Sequence, residues 1–273
     1  MSPIRNILVL GAGELGTHIL LSLAHHPALS SGTGISVSVL LRPSSITSPS
    51  PSKAAELQKL KANGITLLKL AKAVRDAGVP RYIPWQFGVD YDVIGRGSAQ
   101  DLFDEQLDVR DLLRSQISTK WVIISTGMFT SFLFDRAFGV VNAENGVVTA
   151  LGSWENRVTV TAPADIGRVT AEAVLGESLA DADGVVYVAG DTVSYGRVAE
   201  IVEDITGRSF ERRIRTVEDA KRDLARKPED GLFKYQVVFG EGRGVAWEVE
   251  QTWNAKRGMR LQTAEQWARE NWV

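Results

Sequence analysis

The chain of 273 residues is 44% hydrophobic and 23% charged, with a formal net charge of −2, a globular composition that gives no electrostatic footprint for nucleic acid. It has no cysteine, so disulfides, thiol nucleophiles and cysteine-bound metals are excluded. No run reaches the roughly eighteen apolar residues of a membrane span, and the amino terminus enters a strand pattern with no signal peptide, so the sequence reads as cytoplasmic without a membrane partner.

The opening "RNILVLGAGELGTHILLSLAHH" predicts a buried strand from Ile4 to Leu10, a glycine turn, and a helix carrying Leu15, Ile19, Leu20 and Leu23 on one face. Gly11, Gly13 and Gly16 stand in G-x-G-x-x-G spacing between that strand and that helix, the context that makes this otherwise weak pattern a dinucleotide signal. The first glycine permits the tight turn, the second lets backbone approach a pyrophosphate, and the third packs helix on strand. Glu14 and Leu15 open the helix whose partly positive N-terminus faces the phosphates. The competing reading is a turn that merely joins strand to helix. His18, His25 and His26, all the histidines of the chain, fall in this helix or just after it. Cations there complement the helix dipole, and no metal is expected.

A second apolar strand, "ISVSVLLR", ends at Arg42. An NAD site usually places a carboxylate here, whereas an NADP site uses arginine for the 2′-phosphate. No acidic residue lies between Glu14 and Glu56, and Arg42 is followed by Ser44 and Ser45. Arginine can fork onto a phosphate and the hydroxyls can add hydrogen bonds, which favours NADP(H). A solvated strand-end charge is the bland alternative for Arg42.

The Ser/Pro-rich stretch "PSSITSPSPSK" then feeds a predicted helix capped by Ser52, carrying Leu57 and Leu60 and ending near Gly64. Leu67, Leu70, Ala71, Val74 and Ala77 form a second helical stripe, closed by Gly78 and Pro80, and only "GIT" separates the two. Next come a strand "RYIPW", a helix "QDLFDEQLDVRDLLRSQ", a strand "KWVIIST", and a loop rich in Met128, Phe129, Phe132 and Phe134. Strands "RVTVTA" and "GVVYVAG", helices starting near Asp165 and Tyr195, a charged helix at 217–226, and a last helix with Thr263 and Gln266 in capping-box spacing complete the chain. Alternating strands and helices predict an α/β, doubly wound, mostly parallel sheet over residues 1–150. A smaller C-terminal α/β substrate portion, 151–273, is interleaved with it. Ligands of such sheets sit at the carboxyl ends of the strands.

With "GAGELG", Arg42, "AGVPRYIPWQFGVDYD", "FDEQLDVRDLLR", "STGMF" and "DIGRVTAEAV" in order, the chain resembles the NmrA-like and isoflavone reductase-like family of atypical short-chain dehydrogenases. The resemblance implies a Rossmann-like fold that binds NADPH, with Pro84, Phe87 and the rest of the loop to Gly88 near the nicotinamide. It also implies that the "STGMFTSFLF" loop helps wall a substrate pocket, with Trp85, Met128 and Phe129 toward the substrate. It implies either reduction of an aromatic carbonyl or conjugated small molecule, or an NAD(P)-sensing regulatory role without catalysis. The partner is then a small-molecule substrate, with a homo-oligomer or a regulatory protein partner open.

Two departures stand out. In the reductases of this family a lysine early in the helix after the "FG" loop is linked to catalysis, and here alignment puts Gln106 there. An amide hydrogen-bonds but cannot deliver a proton as an ammonium does. Gln106 is therefore either a site residue or an exposed helix position. No tyrosine has a lysine four positions on, which leaves Tyr91, Asp90 or bound water as proton sources. The second departure, again by the resemblance, is a shortfall of roughly thirty or more residues between "ANGIT" and "LLKLAKAV", about one strand–helix–strand unit. The two helices at 52–78 then act as one crossover, placing "RYIPW" beside the first strand and leaving the second strand as an exposed edge. A truncated transcript or gene, a shortened NADPH-binding protein, and a member without catalysis all fit.

Overall fold

The computed structural model describes residues 6–29, 34–41, 66–69, 80–115, 117, 120–176 and 184–272. In chain order these form β1 (Asn6–Leu10), α1 (Glu14–Ala24), β2 (Ser36–Leu41), β3 (Thr66–Lys69), β4 (Arg81–Tyr82), α2 (Tyr91–Ile94), α3 (Leu102–Arg114), β5 (Lys120–Ser125) and β6 (Met128–Phe129). There follow α4 (Thr130–Leu133), β7 (Val141–Asn142), β8 (Val147–Leu151), β9 (Arg157–Thr161), α5 (Pro163–Leu175), β10 (Gly184–Tyr187), β11 (Asp191–Ser194) and α6 (Tyr195–Thr206). The chain closes with β12 (Glu211–Arg215), α7 (Val217–Arg226), α8 (Gly231–Glu241), α9 (Trp253–Lys256) and α10 (Ala264–Asn271). Two compact units result, one of Met1–Pro80 with Pro163–Asp183, the other of Arg81–Ala162 with Gly184–Val273.

The first unit is built on a parallel sheet in the order β1-β2-β3, with Asn6 opposite Ser36 and Ser38 opposite Thr66. The predicted stripe of α1 does its work: Leu15, Ile19, Leu20 and Leu23 are all buried, with Val37, Val39, Ile166 and Val169. The helix also packs on α5. Gly167 allows that approach, since a Cβ there would stand 2.6 Å from the His18 carbonyl oxygen. At the other end of α1, His26 Nε2 lies 3.2 Å from Glu172 Oε2.

Three expectations are corrected here. Thr66–Lys69, read as the start of a helical stripe, is strand β3. Four residues are too few to fix a period, and the backbone groups of β2 offer a ladder that a helix would leave unused. β2 is consequently the middle strand of its sheet rather than an exposed edge. The "RYIPW" strand narrows to β4, which pairs in parallel with β5, Arg81 opposite Lys120. The helix capped by Ser52 and residues 70–79 lie outside the described residues.

The second unit holds three small sheets in the orders β10-β5-β4, β11-β9-β6 and β12-β8-β7. The first is parallel throughout, with Val122 opposite Gly184 and Ser125 opposite Tyr187. β5 and β10 end together, at Ser125 and Tyr187, while β4 stops earlier, with Tyr82 opposite Trp121, and the chain after it runs on in the same direction. The core is apolar and aromatic, including Val89, Tyr91, Phe103, Leu107, Met128 and Phe138. All nine phenylalanines, seven tryptophans and five tyrosines of the chain fall in this unit, so the interior of the first unit contains no aromatic ring of these types. Helix ends follow sequence: Ser194 caps α6, the charged α7 spans Val217–Arg226, and Thr263 and Gln266 form the predicted capping box on α10. Among the described residues no helix is long and apolar enough to cross a membrane, and no His/Asp/Glu group has metal-ligand geometry.

Candidate functional site

In the first unit the glycine turn has the shape that its spacing predicts. Gly11 takes φ of +94°, the left-handed region that favours glycine. A Cβ on Gly16 would stand 2.6 Å from the Gly11 carbonyl oxygen, so the third glycine is needed for the helix to start this close to the strand. Gly13 is exposed, and a Cβ there would meet nothing within 4 Å. It is the N-cap of α1 and supplies no side-chain cap. Helix N-termini leave their first N–H groups without intrahelical partners, the arrangement that anions favour. Glu14 is exposed beside Gly13, while Leu15 is buried and offers only backbone. Arg42 and Ser44 lie outside the described residues.

In the second unit the carboxyl ends of β4, β5 and β10 gather polar side chains. The loop after β4 alternates strongly: Pro84 is buried, Trp85 is 60% exposed, Gln86 is fully buried, and Phe87 is 7% exposed. The Gln86 amide donates from Nε2 to the Gln106 carbonyl oxygen at 2.9 Å, while its Oε1 accepts from Arg110 Nε at 2.9 Å. Arg110 is fully buried. It also donates from Nη1 to Asp92 Oδ2 at 2.6 Å and from Nη2 to Ser125 Oγ at 3.4 Å, and its guanidinium lies over the Tyr91 ring, 5.0 Å from the centroid. Arg114 closes on the same carboxylate with bonds of 2.9 and 2.7 Å. The Arg114 hydrogen bond, aided by Arg110, holds the Asp92 carboxyl below the usual carboxylate range despite partial burial.

Asp90 begins α2. Its Oδ1 accepts from the Val93 N–H at 3.2 Å, and its Oδ2 accepts from Tyr187 Oη at 2.8 Å. Burial and then this bond push the Tyr187 hydroxyl well above the usual tyrosine range. Tyr187 meets Trp247 edge to face at 5.2 Å. Backbone fixes the rest of the loop: the Gly88 carbonyl accepts from the N–H groups of Thr126 at 2.9 Å and Gly127 at 3.0 Å, and the Asp90 N–H donates to Gly244 O at 2.9 Å.

The residues singled out by sequence divide accordingly. Tyr91 is 4% exposed, edge to face with Phe103 at 5.0 Å, and burial drives its hydroxyl well upward. Gln106 is half-buried one helical turn before Arg110, and its carbonyl receives Gln86. Met128 is buried in the core and Phe129 half-buried, on β6 just after the turn at Thr126–Gly127. Phe132 meets Phe138 at 4.5 Å and Tyr235 at 5.9 Å, an interior stack. Sequence reasoning included Gln86 only as part of the Pro84–Gly88 loop and missed Asp92, Arg110 and Tyr187. The signal for Arg110 was present: it follows Phe103 and Leu107 at helical spacing, a cation on a buried stripe.

The sequence model of the NmrA-like family matches residues 68–266. An NmrA-like family domain-containing oxidoreductase of Gibberella moniliformis (strain M3125 / FGSC 7600) is 44% identical over 293 residues, covering 94% of each chain. The chain belongs to the NmrA-like family. Solved structures share its fold at lower identity. The crystal structure of isoflavone reductase superposes with a TM-score of 0.78 at 16% identity, over 99% of this chain and all of that one. The leucoanthocyanidin reductase–NADPH complex from Vitis vinifera gives 0.72 at 15%, over 95% and 97%. AtPrR2 with NADP+ and (+)pinoresinol gives 0.73 at 16%, over 99% of each. This NmrA-like chain is also shorter than its Gibberella relative along their shared length. Of its own residues, 94% is about 257, so about 36 of the 293 aligned positions have no counterpart in it.

Proposed function

We propose that this NmrA-like protein is an NADPH-dependent oxidoreductase that reduces a small, aromatic carbonyl or conjugated substrate. The observation that carries the reading is the turn at Gly11–Gly16, whose open approach and uncapped helix N-terminus suit a dinucleotide pyrophosphate. Its support from relatives is the oxidoreductase of Gibberella moniliformis and the fold shared with reductases solved with NADP+ or NADPH. When bound, NADPH supplies the hydride. Gly11, Gly13 and Gly16, with the first amides of Glu14 and Leu15, hold the pyrophosphate. Arg42 and Ser44 take the 2′-phosphate. Pro84 and Phe87 border the nicotinamide, while Trp85, Met128 and Phe129 face substrate, with Gln106 and Tyr91 as the polar groups beside it.

A second reading is an NAD(P)-sensing regulatory protein without catalysis. Gln106 at the family's lysine position favours it, since an amide holds a carbonyl without protonating it. Buried Tyr91, with its hydroxyl driven upward, is equally poor as an acid near neutral pH.

Titration of the folded protein with NADPH and NADH tests the common core of both readings, and turnover with aromatic ketones and enones separates them. Micromolar binding that favours NADPH is expected, with Arg42→Ala losing about tenfold of that preference, as a charge-assisted pair does. Binding of neither cofactor removes both readings. Binding without oxidation of NADPH across the panel leaves the regulatory one.

A further inference from the structure

We infer that Arg110 is a positioning residue: through Gln86 it fixes the Pro84–Phe87 half of the loop that carries Trp85 and Phe87, and so sets the geometry of hydride transfer. This rests on the reductase reading. The loop has two halves with different anchors. From Gly88 onward the backbone is tied directly, by Thr126 and Gly127 to the Gly88 carbonyl and by Gly244 to the Asp90 N–H. The earlier half has a local bond, Gln86 N–H to Pro84 O at 2.8 Å, and the Gln86 side chain ties it to α3.

Arg110 is suited to that task by geometry. Its fork reaches three separate segments at once: Gln86 in the loop, Asp92 at the start of α2, and Ser125 at the end of β5. Lysine keeps the charge but has no planar fork and could not serve all three acceptors in these directions. The arrangement is also a poor way to obtain stability alone. A fully buried guanidinium has a large desolvation cost, and apolar side chains of similar volume often replace a buried ion pair without loss. What such a group adds is a single fixed arrangement of the parts it joins. Arg110 itself lies behind Gln86 and Tyr91, so its effect on chemistry passes through the loop.

Arg110→Lys and Gln86→Leu test this in the full chain. Three quantities are compared with the parent protein: kcat for the best substrate, NADPH affinity, and hydrogen exchange across the second unit. The expected result in both variants is a fall in kcat of about ten- to hundredfold, as small misplacements near the reacting atoms produce. NADPH Kd stays within twofold, and faster exchange is confined to the segment around residues 84–87 in Gln86→Leu and around residues 84–94 in Arg110→Lys, which also weakens the tie to Asp92. Recovery of kcat is greater in Arg110→Lys than in Arg110→Met, because the charge partner of Asp92 remains. A kcat within twofold of the parent in both variants overturns the proposal. So does loosening spread evenly over α3, β5 and the other sheets, which marks Arg110 as a general core residue. If the parent protein oxidises no NADPH with any substrate, the reductase reading fails by itself, and the exchange data still decide whether Arg110 holds the loop.

Discussion

Asp92 serves two arginines with one carboxylate, and its side chain keeps 34% exposure while Arg110 beneath it has none. Removing the charge therefore leaves the buried guanidinium uncompensated. Loss of one partner from a fully buried pair costs about 3–5 kcal/mol. With one side open to water, about 2–3 kcal/mol is the expectation for Asp92→Asn. The pH dependence follows from the lowered carboxyl. A group whose folded pKa is depressed contributes fully above its unfolded value, near 3.9, and loses that contribution as pH falls through the folded value. Denaturant midpoints of the parent should thus drop below about pH 4, while Asp92→Asn starts lower and loses less over the same range. A variant as stable as the parent at pH 7 would remove Asp92 from any role in holding Arg110. Parts of this cluster were legible in the sequence and parts were not. Arg110 could have been found from its place on the Phe103–Leu107 stripe, where an arginine must be paired. Tyr187 could not, because nothing local links it to Asp90, 97 positions away.

At the scale of elements, legibility followed the length and independence of the local signal. The stripe of α1 is long enough to fix the period, and Leu15, Ile19, Leu20 and Leu23 are all buried as it requires. The cap pairs Thr263–Gln266 and Ser194–Arg197 name helix starts by chemistry that acts within three residues. β3 failed that condition: four residues carry no decisive period, and its identity comes from pairing with β2, some thirty residues earlier. The crossing of α1 on α5 was equally hidden, because Gly167 matters only for what it faces. A Cβ there would stand 2.6 and 2.7 Å from the His18 carbonyl oxygen and carbon and 2.9 Å from Ser22 Oγ. Backbone cannot yield as a side-chain tip does, so the helices must part. Gly167→Ala should lower stability by about 1–3 kcal/mol despite alanine's better helix propensity. Thermal unfolding followed by far-UV circular dichroism measures this, and an unchanged or raised midpoint would show that the crossing relaxes freely.

At the scale of the whole molecule, the family match starts at Leu68, inside β3, and the Gibberella relative has about 36 aligned positions more. The described sheet of the first unit has three strands, and that unit holds no phenylalanine, tryptophan or tyrosine. The second unit has three sheets and every large aromatic ring of the chain. Buried area rises with size and aromatic content, so the first unit has the smaller hydrophobic reserve. Its composition also supplies the means to watch the units separately. Tryptophan emission reports the second unit alone, whereas far-UV ellipticity includes α1 and α5 of the first. On heating, ellipticity should begin to fall before tryptophan emission changes, since non-coincident probes mark separate transitions. With NADPH bound at the glycine turn, as proposed, the unit that carries it gains about 2.7 kcal/mol at a hundredfold excess over Kd. The early ellipticity step should therefore move upward and approach the tryptophan curve as NADPH is added. Curves that coincide without cofactor would show that the two units unfold as one cooperative body, and an early step that ignores NADPH would take the dinucleotide site away from Gly11–Gly16.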